Sequence, residues 1–111
     1  MMKHNIYFEY QKTTPSKTRL KLIKDAGFDG IFLKIDENKK NEKIINEARK
    51  LNLDIEAFHL SADHCNSLWE ETIQGEEYTE AIINGIIEAS YFHIPTVVMH
   101  ISSGDYPPAI N

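Results

Sequence analysis

Two stretches decide the fold: Asp54–Leu60, DIEAFHL, and Thr96–Ser102, TVVMHIS. Each is a short apolar run with one histidine near its carboxyl end. Branched and aromatic residues crowd both runs, which therefore read as buried strands. Between them lies a helical pattern from about Glu76 to Phe92, with Ile82, Ile83, Ile86 and Ile87 as its apolar residues. Gly85 in its interior costs about 1 kcal/mol relative to alanine, which points to close packing at that position. Pro95 prevents continuation, and His93 stands where a helix-ending glycine is expected.

The same unit recurs toward the amino terminus. Asn5–Tyr10, NIYFEY, is a strand, and the loop TTPS follows it. Ser16 is a candidate N-cap for KTRLKLIKDA, with Leu20 and Ile23 on one face and Gly27 as the stop. GIFLKI is the second strand, ending near Ile35, and ENKKN turns the chain. Ile44, Ile45, Ala48 and Leu51 recur at helical spacing, and Asn52 can end that helix in a left-handed conformation. SADHCNSLWEETIQGE is a loop with room for one short turn. The order is β-α-β-α-β-α-β. Alternating strands and helices imply parallel pairing and right-handed crossovers.

At 111 residues the chain is one domain at most. Its composition, 41% hydrophobic and 26% charged, is that of a soluble globular chain rather than a disordered or membrane-spanning one. A net charge of -5 argues against a broad nucleic-acid-binding surface. The single cysteine, Cys65, cannot form an internal disulfide, which fits a reducing compartment. MMKHNIYFEY lacks the apolar core of a secretory signal, and no apolar run reaches membrane-spanning length. A cytoplasmic protein with no membrane partner is expected.

Side chains alternate along a strand. On this count Ile55, Ala57 and His59 share one face of the third strand, and Thr96, Val98 and His100 share one face of the fourth. Counted from Ile55 and from Thr96, each histidine is the fifth residue. His59 and His100 are thus expected near each other at the carboxyl ends of adjacent parallel strands, where α/β folds carry their chemistry. Two core histidines bonded to backbone groups are the plainer alternative. Two imidazoles are a partial metal site, because catalytic zinc takes three protein ligands. Glu9 and Lys34 both alternate toward the inward face. They are candidate catalytic groups, with a structural ion pair as the alternative. SSGDYPP offers Ser102, Ser103 and backbone N–H groups to a phosphate or sugar hydroxyl, unless it is an ordinary turn. His64 and Cys65 are adjacent in a loop without a spaced second pair, so no zinc motif follows. NKKNEK reads as solvated surface.

AGFDGIFL, FHLSADHCNSLWEE, the helix entering IPTVVMHISSG, and the closing PP together resemble the amino-terminal half of a xylose-isomerase-like TIM barrel. The resemblance implies a sugar (phosphate) isomerase or epimerase, or a zinc-dependent apurinic endonuclease. The family's barrel has eight βα units in about 250 residues. The expectation is therefore an α/β parallel (βα) half barrel with four strands and three helices, residues 1–111 being one truncated domain. The resemblance implies a divalent metal (zinc, manganese or magnesium). The epimerase branch draws its metal-binding carboxylates from the half of the barrel beyond Asn111. His59 and His100 match zinc-ligand positions of the endonuclease branch. No metal is then expected to bind one isolated chain tightly. Phe32 departs from the family pattern, where many relatives have glutamate, and His93 replaces the usual glycine.

Three readings follow. One is an isomerase-like half barrel taking a small sugar or sugar phosphate. The second is a non-catalytic assembly module, and the third an endonuclease remnant, which the acidic balance disfavours. Four parallel strands cannot close such a barrel. A homodimer or higher oligomer covering the open half-barrel face is expected, with Tyr7, Phe32, Ile55, Ala57 and Val98 on that face.

Overall fold

The computed structural model describes residues 2–11, 13–35 and 41–104. Four strands and three α-helices alternate: β1 (Asn5–Tyr7), α1 (Ser16–Asp25), β2 (Gly30–Lys34), α2 (Asn41–Lys50), β3 (Asp54–His59), α3 (Ile73–Tyr91) and β4 (Thr96–Val98). The strands form one parallel sheet in the order β1-β2-β3-β4. This is the arrangement of an α/β half barrel. Residues 36–40, most of the expected turn ENKKN, lie outside the described residues, as do Asp105–Asn111.

One face of the sheet carries the core. Ile31 and Leu33 of β2 and Ile55 and Phe58 of β3 pack there with Leu20 and Ile23 of α1, Ile45 and Ala48 of α2, and Ala89 of α3. All three helices therefore lie in one layer, as same-handed crossovers between sequential strands require. Gly30 makes the close strand spacing possible. A Cβ there would sit 2.5 Å from the Asp54 carbonyl oxygen and 2.5 Å from Asn5 Oδ1.

The helix stops follow one pattern. Gly27, Asn52 and His93 have φ of 93°, 58° and 58°. After each, an amide reaches five residues back: Phe28 N–H to Ile23 O, Leu53 N–H to Ala48 O, Ile94 N–H to Ala89 O. This left-handed cap satisfies carbonyls that the helix itself cannot. The expected stops at Gly27 and Asn52 are thus present, and His93 does the work of a glycine. Gly85 is also where close packing requires it, since a Cβ would lie 2.3 Å from Leu60 Cδ2.

Four expectations need correction. The first strand is shorter than Asn5–Tyr10, because the chain turns into a 3₁₀ segment, Phe8–Gln11. Arg19 anchors that turn: it is 6% exposed and donates to the Phe8 and Thr14 carbonyls. Its guanidinium also lies 4.3 Å from the Phe8 ring centre. Second, Pro15 rather than Ser16 is the N-cap of α1, whose first residue is Ser16. Third, α3 starts at Ile73, where the Thr72 hydroxyl accepts from the Gly75 amide at 3.1 Å; the preceding loop holds a 3₁₀ segment, Cys65–Trp69.

The fourth is a bulge in β3. Ile31 pairs with Ile55, but the next residue, Phe32, pairs with Ala57. One extra residue, Glu56, reverses the alternation. Ile55 consequently joins the helix-side core, while Ala57 and His59 face the other way.

Candidate functional site

Past the bulge, the sheet face opposite the helices carries a compact triangle of rings. Tyr7 and Phe32 are register partners on β1 and β2. Their rings stack at 5.2 Å between centroids. Phe32 stacks in turn on the His59 imidazole at 5.0 Å, and Tyr7 lies 5.9 Å from it. Lys34, an exposed residue, pairs with His59 in register and so shares its face. Tyr7, Phe32 and His59 are each partly buried. They form one aromatic shelf at the carboxyl ends of β1, β2 and β3.

The shelf sets the protonation of His59. Partial burial is the main cause that holds its pKa below the usual imidazole value. The charge of His100 pushes the same way, and Glu56 opposes both. A neutral imidazole accepts a proton or a hydrogen bond at near-neutral pH. Tyr7 is pushed up, first by burial and then by the charge of Glu9.

His59 and His100 are not at matched height. His59 pairs with Val98, and β4 ends there, so His100 lies two residues further along, exposed and outside the strand. The shorter strand is the reason: Thr96 pairs with Ala57, not with the start of β3. Among the described residues no group of three or more histidines, cysteines or carboxylates could hold a metal ion. The two histidines alone fall short of the three protein ligands of a catalytic zinc, so no chemical step is derived through a metal.

Glu9 and Lys34 do not form the expected pair. Glu9 belongs to the 3₁₀ segment and has left the alternation of β1. Ser102 and Ser103 are exposed. The Ser103 amide donates to Asn66 Oδ1 at 2.7 Å, and Asn66 Nδ2 returns a bond to the Ser103 carbonyl. Trp69 Nε1 likewise donates to the Ile101 carbonyl at 2.6 Å. The segment after β4 is thereby tied to the 3₁₀ segment Cys65–Trp69, and the Ser103 N–H is taken from any phosphate. Gly104 follows with φ of 66°, and DYPP lies outside the described residues.

Sequence reasoning missed the shelf as a unit. Tyr7 and Phe32 were expected on the open face, but aromatic stacking across three strands has no local signature. It also missed a cleft of about 740 Å³ between the end of β3 and α3. Ser61, Asp63, His64, Glu77 and Tyr78 line it, and neither His59 nor His100 does. His64 Nδ1 is 3.0 Å from Gln74 Nε2, and the Tyr78 hydroxyl donates to the Ser61 carbonyl at 2.8 Å. Cys65 is buried at 1% exposure, a packed thiol rather than an exposed loop one.

Comparison with models of known protein families and with curated proteins finds no match to this chain. No helix among the described residues is long and apolar enough to cross a membrane.

Proposed function

We propose that this chain binds a small sugar or sugar phosphate on the inner face of its sheet, as an isomerase- or epimerase-like (βα) unit. The observation that carries the reading is the Tyr7–Phe32–His59 stack at the carboxyl ends of the strands. Aromatic faces take the C–H face of a sugar ring, while a few convergent polar groups orient it. His59, held neutral, accepts a hydrogen bond from a ring hydroxyl. Lys34 supplies a cation on the same face for a phosphate. A proton moved at the carbon beside a carbonyl needs a base with a pKa near the working pH, and His59 is the candidate.

The test is an NMR titration with aldose and ketose phosphates. Shifts should map to Tyr7, Phe32 and His59. Phe32→Ala should weaken binding about tenfold, the loss of one stacked ring face. No binding, or shifts confined to the cleft beside α3, would reject the reading. Solvent deuterium entering the sugar beside its carbonyl separates turnover from binding alone. A second reading, an assembly module, is favoured by the exposed apolar stripe of α3 described next.

A further inference from the structure

α3 is apolar on two sides. Gly75, Tyr78, Gly85 and Ala89 face the protein. Yet Ile73, Ile83, Ile86, Ile87 and Tyr91 are 75%, 50%, 50%, 62% and 72% exposed. At 100° per residue, Ile83, Ile87 and Tyr91 fall on the side away from the sheet. Ile83, Ile87 and Tyr91 therefore form an outward stripe. A stripe of this kind on a helix marks an interaction site. Its charge has one sign: Glu76, Glu77, Glu80 and Glu88 lie on α3, and the helix contains no lysine or arginine.

The opposite end of the same helical layer has the complementary character. A groove of about 300 Å³ runs between α1 and α2. Leu20 and Leu51 line it, with Lys17, Lys21, Lys24 and Lys50 around them. Four lysines outnumber two acids there, Asp25 and Glu47. An acidic apolar ridge and a basic apolar groove thus lie on one chain.

We propose that the outer helical face is a homodimer interface, with α3 of each copy seated in the α1–α2 groove of the other. Charge complementarity selects a second copy as the occupant. Sheet order selects the symmetry. The helices lie in the order α1, α2, α3, so a two-fold axis near α2 brings α3 onto the partner's groove twice at once. The contact is isologous and closed, and it stops at two copies. It leaves the inner face open, so it is independent of the sugar-site reading, and it differs from an oligomer that covers the half-barrel face.

Two charge-reversed variants test it. One carries Glu76→Lys and Glu80→Lys, the other Lys21→Glu and Lys24→Glu; every changed side chain is exposed. Each variant alone puts like charges across both contacts, and the mixture restores both. Sedimentation should show a dimer for the native chain, at least tenfold weaker association for each variant, and recovery in the equimolar mixture. Helix content by circular dichroism should match the native chain throughout. Ile83→Ser with Ile87→Ser, also on exposed positions, should dissociate the dimer without any charge change. A monomeric native chain, either charge variant still dimeric alone, or a mixture that fails to recover would overturn the proposal. So would a dimer that survives the isoleucine changes but dissociates in Phe32→Ala.

Discussion

His59 shows how one side chain's surroundings become a measurable property. Burial against Phe32 and Tyr7 disfavours the imidazolium, and His100 adds like-charge repulsion. Its folded pKa is therefore below its unfolded value. At pH between the two, the unfolded chain binds more protons, so stability rises with pH across that window. The His59 contribution should thus be worst in acid, improve through the window below 6.5, and be level above it. Histidine-resolved NMR should find His59 titrating below 6.5, and His100→Ala should move it part of the way back up. An unmoved His59 in that variant would sever the two histidines electrostatically. Gly30 is the second residue with a sharp consequence. An added Cβ meets the Asp54 carbonyl, which belongs to the neighbouring strand and cannot rotate away. Gly30→Ala should cost about 1–3 kcal/mol in denaturant unfolding, the usual cost of overpacking.

Among the elements, helix ends were the most legible in the sequence. Gly27, Asn52 and His93 occupy the positions that local rules assign, because a cap depends on a few adjacent residues. The strands were legible in existence, in order and, except at Ile55, in face. No residue in DIEAFHL announces the bulge at Glu56; it arises from how β3 pairs with β2. That single slip moved Ile55 to the core, while the separate pairing of Thr96 with Ala57 left His59 level with Val98 instead of His100. The start of α3 was hidden for a related reason. Thr72 caps the helix, but IQGE reads as loop because of its glycine, and Gly75 packs against the Ser67 and Glu70 carbonyls. His93 yields a prediction at this scale. A non-glycine residue in the left-handed region is strained, and histidine tolerates it less well than glycine. His93→Gly should raise stability by about 0.5–1 kcal/mol, and Asn52→Gly by less, since asparagine accommodates this conformation better. Thermal unfolding of both variants measures the order, and a destabilised His93→Gly would mean that the imidazole has a packing role.

At the scale of the whole molecule, stability is concentrated in the middle of the sheet. β2 and β3 have neighbours on both sides, and they supply Ile31, Leu33, Ile55 and Phe58 to the core. β1 and β4 are three residues each, and each is paired on one side only among the described strands. Met99 and Ile101, just past β4, are 39% and 61% exposed. Opening free energies follow such differences, because a short edge strand separates without disturbing the core. Native-state hydrogen exchange should therefore be slowest at the amides of Ile31, Leu33 and Phe58, near the rate set by global unfolding. The amides of β4 should exchange faster by one or more orders of magnitude, since each factor of ten needs only about 1.4 kcal/mol of difference in opening free energy. Dimerisation through the helical face predicts a further selective effect. Raising the protein concentration should slow exchange in α3 and in α1 near Lys21, and leave β4 unchanged. An interface on the inner face or along the β4 edge reverses that pattern, protecting β4 first.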